Sequence, residues 1–406
     1  MSYIPPHKRQ SKDSDRPSPI PESLPRQFRR NLDWSSSKSK KERFGKIVYA
    51  EKAISTWLAV GLDDNNQFPS SVHLDPVSSE FLERTNWGKP LALVNRDPGK
   101  VEDEQVGKPW VSLAENVLPN LLSAFENVRS EMVCQKSVNV KPTLVARFGK
   151  IFFMGNCSLC ESPSNTQETT AIGLAAETTL RKLRRSFYTN VPNSYMENIM
   201  GEVAKKIEVD FEGEKDLYHV KLSDATQPDS TLSCKCSVMK EHKKLQLYKV
   251  ELNQVRHMVM DISCLDKSSD LRLMLYTEGV LTALTDDEME SIRNLINSAV
   301  LDPDVKGGLR WPLGYASSGN RFCVVGVWHT IAKAYKNPSM RLKVRHADRF
   351  DFRTSTGVAS REISLKLKSI ISSLQEQTVE ISSVSEKLKD TLRLIWDLSS
   401  GEGFLK

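Results

Sequence analysis

The sequence lacks the features that would place the chain in or across a membrane. No window approaches the roughly 18 consecutive apolar residues of a transmembrane helix, and the amino terminus has no apolar signal-peptide core. It is basic and rich in serine, as transit peptides are, but Asp13, Asp15, Glu22 and several prolines interrupt the amphipathic helix of such peptides. We therefore predict a protein of the cytoplasm, the nucleus or both, without a membrane partner.

The sequence also lacks the short motifs that mark common enzyme classes. It contains no GxxxxGK[ST] or GxGxxG phosphate loop, no HExxH zinc motif and no GxSxG nucleophile elbow, and its seven histidines are scattered without partners at catalytic spacings. These absences favour a non-enzymatic protein without a cofactor. The weakest alternative is an enzyme with a site in the glycine-rich loop 305–321. In that loop Arg310, Trp311 and Arg321 offer cations and a flat ring to a ligand.

Cysteine is scarce, with 7 residues in a chain of 406. This small, odd number predicts reduced thiols in a reducing compartment and not a disulfide framework. Cys157 and Cys160 form a CxxC, and Cys234 and Cys236 form a CxC, so four thiolates would hold zinc if the two pairs converged. The spacing of the second pair places both side chains on one face of a strand, where cysteine acts as a small buried apolar residue. We therefore favour buried free thiols and predict no metal site.

Positive charge is abundant in one segment of the chain. The net charge is +6, and residues 1–46 hold 12 Lys and Arg against 5 Asp and Glu, whereas the rest of the chain is nearly neutral. Residues 1–44 are rich in Ser, Pro, Lys and Arg, a composition that cannot bury enough apolar surface to fold. The segment is therefore predicted to be a disordered basic tail. Such a tail suits contact with a polyanion or an acidic protein surface, or it only keeps the leader solvated.

The tail opens with a short motif that combines an aromatic ring, a proline pair and basic side chains. Its residues are Tyr3, Ile4, Pro5, Pro6, His7, Lys8 and Arg9. The prolines hold the segment extended, while Tyr3 and Ile4 supply apolar anchors for a protein partner. The motif resembles the YIPPHLR element in the tails of the Ded-type DEAD-box RNA helicases, with Lys8 in place of the leucine. In those helicases the tyrosine and leucine suit the consensus for the cap-binding translation initiation factor, so the resemblance implies shared partners and not shared catalysis.

Hydrophobic patterning beyond the tail predicts an α+β fold. Residues 45–200 are interpreted as a mixed α/β lobe with helices at 112–132 and 169–188. Apolar residues recur at helical spacing in the first of these helices, and Pro119 is expected to kink or divide it. The chain as a whole also resembles a plant-type family of proteins that begin MSYIPPHKR and continue into a similar α+β body, which implies no particular activity.

The second half of the chain changes to short alternating segments. Residues 201–400 are interpreted as an antiparallel β meander with C-terminal helices near 358–375 and 380–398. Six segments between 204 and 277 alternate apolar and polar residues without a helical interruption, which indicates antiparallel sheets with one face packed and one face wet. A helix is predicted at 285–301, with an N-cap at its first residue and acidic side chains in its first turn.

The first candidate for contact with nucleic acid is a row of cations in the predicted strand MRLKVRHA. Arg341, Lys343 and Arg345 alternate with apolar residues, so a strand places them on one face in a row about 14 Å long. Arg349 and Arg353 continue the row with phenylalanines interleaved. Cations beside aromatic rings suit phosphate neutralisation and base stacking, although a wet sheet face is often charged for solubility alone.

The second candidate is a basic cluster in the predicted helix 169–188. It consists of Arg181, Lys182, Arg184 and Arg185, which a helix would direct toward solvent while its leucines face the core. The cluster is either an anion site or an ordinary solvated helix face.

Together these features predict a non-enzymatic interaction module associated with RNA or ribonucleoprotein components, with a basic disordered arm. The runner-up is a scaffold or adaptor that binds only protein, in which the sheet face and the C-terminal helices mediate assembly. Salt dependence distinguishes the two, because cations that neutralise phosphates release counterions and binding then weakens steeply with salt.

Overall fold

The computed structural model describes most of the chain beyond residue 46. The described residues are 47–60, 72–77, 90–95, 108–134, 138–154, 180, 183–239, 244–265, 267–281 and 284–398. Both the predicted tail and its motif Tyr3–Arg9 lie outside them. Among the described residues, no helix combines the length and the apolar character needed to cross a membrane.

Helices in the described part of the chain lie before, within and after the strand-rich region. They are α1 (Pro109–Cys134), α2 (Asn193–Asn198), α3 (Ala204–Lys206), α4 (Asp286–Asn297), α5 (Lys368–Gln375) and α6 (Ile381–Leu398). A π-helical turn, Ile199–Val203, joins α2 to α3. Helix α1 runs without interruption through Pro119, so the expected division of that helix at the proline is wrong.

Strands make up the larger share of the fold. They are β1 (Val48–Val60), β2 (Val72–Pro76), β3 (Pro90–Asn95), β4 (Val138–Met154), β5 (Arg184–Tyr188), β6 (Asp210–Asp224), β7 (Gln227–Met239), β8 (Lys244–Glu251), β9 (Val255–Cys264), β10 (Asp270–Leu281), β11 (Val300–Leu301), β12 (Leu309–Arg310), β13 (Phe322–Lys336), β14 (Met340–Asp351) and β15 (Thr356–Leu367). Apart from the parallel pair β1 and β9, the pairings between these strands are antiparallel.

Eight of these strands close into an antiparallel barrel. The order of hydrogen-bonded neighbours is β10, β8, β7, β6, β13, β14, β15 and β4, and β4 pairs with β10 along the whole length of β10. Strand β8 meets β10 where Glu251 lies opposite Val280, and the amide of Leu252 donates to the carbonyl of Gly279 at 2.9 Å. Strands β9 and β1 extend the sheet beside β10, and β3, β2 and β5 extend it from β4.

The two largest hydrophobic cores lie outside the ring, between the strands and the helices. The main core joins Leu342 and Val344 of β14 and Leu365 of β15 to Leu121 of α1 and Leu388 of α6. A second core packs α4 against the outer faces of β6, β7 and β8. Burial of a leucine or valine side chain contributes about 1.5–3 kcal/mol. Because the apolar residues of the ring strands point outward to the helices, the alternate residues point into the barrel.

The α+β prediction is confirmed in outline, but the strands do not form a plain meander. Consecutive strands pair as hairpins from β6 to β8 and from β13 to β15, as the alternation predicted. Strand β4, from the first half of the chain, lies between β15 and β10 and closes the sheet into a ring. The ring therefore includes strands from both predicted lobes. Closure satisfies the backbone groups that an open sheet leaves unpaired at its two edges.

Three predicted elements differ in the structure, two of them because strand pairing overrides local helical pattern. The described end of the predicted helix 169–188 is strand β5, which pairs with β4. Residues 356–367 form strand β15, not a helix, because they pair with β14 along their whole length. The first two predicted meander segments are a helical turn, α3, followed by the single long strand β6.

Candidate functional site: a cationic barrel lumen

Strand β14 has one apolar face and one cationic face. Leu342 and Val344 are buried in the outer core against the helices. Because side chains alternate along a strand, Arg341, Lys343 and Arg345 point the opposite way, into the lumen of the barrel. Arg341, Lys343 and Arg345 therefore lie on one face of the strand, as predicted, and this face points into the barrel.

The pairing register carries this inner face along β14 and onto the strands beside it. Arg349 lies opposite Trp328 of β13, and Trp328 in turn lies opposite His219 of β6. Arg341, Lys343, Arg345 and Arg349 are called the cation row below. The other strands contribute further polar side chains to the same interior: Thr143 and Arg147 (β4), Lys221 (β6), Ser233 and Lys235 (β7), Glu251 (β8), Tyr276 and Glu278 (β10), and Glu362 and Lys366 (β15).

Because these strands close into one ring, their inner side chains face one another across the lumen. The charges of Lys235 on β7 and Glu278 on β10 both act on the Lys343 amine, although neither strand is a neighbour of β14. Water reaches the interior, since the side chains of Arg341, Arg345, Arg349 and Lys235 keep between 20 and 24% of their surface exposed. The cationic part of the lumen is therefore accessible to water, whereas Val145 and Met274 form a small apolar cluster on the wall of β4 and β10.

Glu362 is a deeply buried carboxylate of the lumen, with 3% of its surface exposed. Arg345 donates to its Oε2 from Nε at 2.8 Å, Arg349 donates to its Oε1, and the hydroxyl of Ser360 donates to Oε1 at 3.0 Å. Burial acts to raise the pKa of this carboxyl, but Arg345, Arg349 and Arg147 outweigh burial and hold the pKa well below its usual range. Glu362 is therefore ionised at physiological pH and fixes two arginines of the cation row.

Two other glutamates bind cations of the lumen. Glu212, near the end of β6, accepts a hydrogen bond from Arg341 at 2.6 Å. Glu251 lies 2.7 Å from the amine of Lys235 and also contacts Lys249. These contacts neutralise part of the positive charge of the lumen. Other cations on its walls are not neutralised in this way.

Two lysines of the lumen have no carboxylate within ion-pair distance among the described residues. Lys343 and Lys221 make no hydrogen bond or ion pair with any residue that the structure describes, and Lys221 is only 7% exposed. Burial and the charges of Arg341 and Arg345 lower the pKa of Lys343 to about 8. Burial and the charge of Lys235 lower the pKa of Lys221 to about 8 as well. A lysine whose pKa is lowered by other cations lies in a region of surplus positive charge.

Lys366 and Arg147 add to this surplus on the wall formed by β15 and β4. Lys366 donates to the hydroxyl of Thr143 at 3.0 Å, and burial lowers the pKa of its amine. Burial and the charge of Arg345 lower the pKa of Arg147 to about 10. Among the described residues, the buried Nε of Arg147 has no hydrogen-bond partner, so this guanidinium is also available to an anion.

Aromatic rings line another part of the same wall. The ring centroid of Trp328 lies 4.7 Å from the amine nitrogen of Lys221 and 4.9 Å from the guanidinium carbon of Arg349. The ring of His219 lies 6.5 Å away. Burial, together with the charges of Lys235 and Lys221, lowers the pKa of His219 to about 3. The imidazole is therefore neutral at physiological pH and adds no charge to the lumen.

The arrangement suits an anion that carries several negative charges. Cations converge from five strands, β4, β6, β7, β14 and β15, whereas an anion with one charge needs only one or two partners. Charges interact more strongly inside the barrel than on an open surface, because the protein walls lower the effective dielectric constant. The lumen is thus a candidate binding site for a multiply charged anion.

Arg353 and the two phenylalanines of the predicted surface do not lie beside the cation row. Arg353 lies beyond the end of β14, where its Nε is 3.5 Å from the carboxylate of Asp351. Phe350 and Phe352 alternate with Arg349 along the strand and therefore lie on the outer face. The phenylalanines and the cation row point to opposite sides of the sheet, so they do not form one surface.

The second predicted cluster is described only in part. Arg184 and Arg185 belong to strand β5 and not to the helix that the sequence predicted. The guanidinium of Arg185 lies 5.8 Å from the ring centroid of Trp57, which fixes it against the sheet. Arg181 and Lys182 lie outside the described residues.

The glycine-rich loop 305–321 does not present the ring that the enzyme alternative requires. Trp311 is 5% exposed, and its indole donates to the carbonyl of Leu295 at 3.0 Å. Arg321 lies 3.2 Å from the carboxylate of Asp224 and also binds Glu288. A cleft of about 510 Å³ opens beside this loop, between α4 and the loop residues, on the outside of the barrel.

The cysteine pair of β7 behaves as the spacing predicted. Cys234 and Cys236 are buried in the core under α4, and burial raises the pKa of both thiols. Cys157 and Cys160 lie outside the described residues.

Sequence reasoning found one wall of the lumen and missed the others. Lys221, Lys235 and Lys366 each stand between apolar residues, in HVKLS, SCKCS and SLKLK. That pattern, one cation between outward-facing apolar neighbours, recurs in strands that are far apart in sequence. The pattern indicates that each strand has one apolar face and one cationic face. That the cationic faces point into one lumen follows only from the closure of the ring, which the pattern does not show.

Several solved structures are similar to the chain in part of their fold. The Pct1 RNA triphosphatase of S. pombe, in complex with the Spt5 CTD, aligns with a TM-score of 0.40 and 8% identity over 69% of this chain and 92% of that one. A conserved hypothetical protein from Pyrococcus furiosus aligns with a TM-score of 0.24 and 9% identity, over 54% and 91%. A putative adenylate cyclase from Bacillus halodurans aligns with a TM-score of 0.24 and 10% identity, over 52% and 89%. Likenesses of this size do not identify a shared activity.

Comparison with sequence families gives the more extensive match. No curated protein matches the chain significantly. The family described as "Domain of unknown function (DUF7903)" matches residues 41–398, and the chain therefore belongs to this family.

Proposed function

We propose that the protein is an RNA-associated binding module whose barrel lumen takes up a phosphate chain, such as the 5′-triphosphate of an RNA. The observation that carries the proposal is the pair of buried or half-buried lysines, Lys221 and Lys343, that lack an acidic partner among the described residues. Burying an ammonium group without a counter-charge is costly. The cost is offset when an anion binds between the two lysines.

The number and spread of the cations favour a chain of phosphates over a single carboxylate. Lys343, Lys221, Lys366 and Arg147 are not neutralised by an ion pair within the described residues. Charged hydrogen bonds from such groups to phosphate oxygens contribute about 1.5–3 kcal/mol each. A linear triphosphate has enough oxygens to receive several of them at once.

The basic tail supports an RNA rather than a free nucleotide as the carrier of the phosphates. The tail adds a net charge of +7 within residues 1–46, and clustered cations attract the phosphate backbone of a nucleic acid. In this proposal the motif Tyr3–Arg9 binds a protein of the same ribonucleoprotein assembly.

The proposal is tested by titrating the full chain with four probes at low salt. The probes are inorganic tripolyphosphate, a nucleoside triphosphate, a short single-stranded RNA with a 5′-triphosphate and the same RNA with a 5′-hydroxyl. We expect tripolyphosphate to bind and the 5′-triphosphorylated RNA to bind more tightly than the 5′-hydroxyl RNA. Replacing both lumen lysines, in K221M/K343M, should weaken tripolyphosphate binding about tenfold or more.

A matched control comes from the neighbouring strand. Lys333 lies on β13 opposite Val344 and is exposed on the outer face, so K333M removes one cation without changing the lumen. K333M should leave tripolyphosphate affinity within about twofold. Equal affinity for the two RNAs, or equal losses in K333M and K343M, would contradict a phosphate site in the lumen. Protein partners that survive nuclease treatment, with no anion binding at all, would instead indicate the adaptor.

A further inference from the structure

The indole of Trp328 lies between two cationic side chains, Lys221 and Arg349, which come from the two strands beside it. It lies on β13, which pairs with β6 on one side and with β14 on the other. Lys221 comes from β6 and Arg349 from β14, and both cationic groups lie within 5 Å of the centroid of the indole. At these distances the negative face of an aromatic ring attracts a cation, and tryptophan does so most strongly.

The two cations depend on the ring to different extents. Arg349 is also held by the carboxylate of Glu362 and by a 3.0 Å hydrogen bond to the hydroxyl of Ser360. Lys221 has no hydrogen bond or ion pair within the described part of the chain. The indole of Trp328 therefore contacts the Lys221 amine directly, and the charge of Glu251 adds a second attraction.

Without that contact the Lys221 amine would adopt a wider range of positions. Lysine has a long side chain with large rotamer freedom, and the charge of Lys235 repels the Lys221 amine. The ring offsets this repulsion and keeps the amine inside the lumen.

We propose that Trp328 is a positioning residue, which holds the amine of Lys221 in place for the anionic ligand of the lumen. The inference rests on the proposed function for its ligand, but the contact between the indole and the amine can be tested separately. Trp328 itself need not touch the ligand. Its role is to limit the positions that the Lys221 amine adopts before the ligand arrives.

The first experiment is a double-mutant cycle with tripolyphosphate as the probe. W328L should weaken binding roughly tenfold in the wild-type chain, while W328F and W328Y should fall between Trp and Leu. In the K221M background W328L should have little further effect, because the amine that it positions is absent. An equal loss from W328L in both backgrounds would overturn the positioning role, since it would indicate a general change in packing. Melting temperatures of all variants identify any that fail to fold.

The second experiment does not depend on the ligand. Lysine amines are reductively methylated with ¹³C-labelled formaldehyde, and the signal of Lys221 is assigned by its loss in K221R. In wild type the aromatic ring should shift this signal away from those of surface lysines, and W328L should remove the shift while W328F keeps part of it. An unchanged Lys221 signal in W328L overturns the positioning role alone, whereas failure of the wild-type chain to bind tripolyphosphate overturns the proposed function alone.

Discussion

The two faces of β14 are made of adjacent residues and meet opposite environments. Leu342 and Val344 are almost completely buried against helices, whereas Arg341, Lys343 and Arg345 face water and one another inside the barrel. The outer face stabilises the fold by excluding water, and the inner face accumulates charge at a cost in stability. Stability and binding are therefore predicted to separate along a single strand, and the following substitutions test that separation.

The largest effect is expected from a charge placed on the outer face. V344D buries a carboxylate without a partner in the main core, which should cost about 4 kcal/mol or more and abolish folding or nearly so. K343M, one residue away, should not lower the free energy of unfolding, because it removes a desolvated charge. Urea unfolding followed by circular dichroism measures both. A K343M variant as unstable as V344D would show that the inner face is part of the core.

The second effect concerns Glu362, the inner carboxylate that binds two arginines of the cation row. E362A leaves Arg345 and Arg349 without their shared acceptor and should reduce the free energy of unfolding by about 3 kcal/mol. Because the folded pKa of Glu362 lies below its ordinary value of 4.5, its contribution is complete above that pH and is lost as the pH falls through the folded pKa. Wild type should therefore lose more stability than E362A between neutral pH and acid. Parallel pH profiles for the two chains would contradict this.

The third effect is an opposite response of binding and stability to alkaline pH. The pKa values of Lys221 and Lys343 are about 8, below the ordinary 10.5, so raising the pH from about 7 to about 9 neutralises amines in the folded chain before the unfolded one. The free energy of unfolding should rise over that interval, since the unfolded state binds more protons. Affinity for tripolyphosphate should fall several-fold. The double variant K221R/K343R stays charged and should flatten both profiles.

The smallest effect lies far from the lumen, at the start of α4. Thr285 accepts a hydrogen bond from the amide of Glu288 at 3.2 Å, and its own amide donates to the Glu288 carboxylate at 2.8 Å. T285A should reduce the free energy of unfolding by about 1 kcal/mol. Tripolyphosphate affinity should not change. A change in affinity would show that the outer core under α4 is coupled to the lumen.

Local features of this fold were predictable from sequence because they depend on neighbouring residues. The N-cap at Thr285, the strand with Arg341, Lys343 and Arg345 on one face, and the burial of Cys234 and Cys236 follow from spacings of two to four residues.

The direction of the cationic face was not predictable, because it depends on contacts between distant strands. An open sheet and a closed barrel have the same alternation along each strand, but one presents its polar face to bulk water and the other encloses it. Strand β4 turns the open sheet into a closed barrel by pairing with β10 and β15. Its sequence predicts a strand but does not indicate which two strands it pairs with. Glu362 and Trp328 were missed for the same reason: their partners are on other strands or on the far side of a turn.

The closure of the ring by β4 also sets the order in which the protein acquires its site during synthesis. Strand β4 leaves the ribosome early, but its partners β10 and β15 are made much later, and Arg147 reaches its place beside Ser364 only when β15 pairs with it. In a nascent chain that ends before Leu367, β15 is incomplete, so the barrel is not closed around the cationic side chains. The barrel therefore cannot close during translation until nearly the whole chain has emerged.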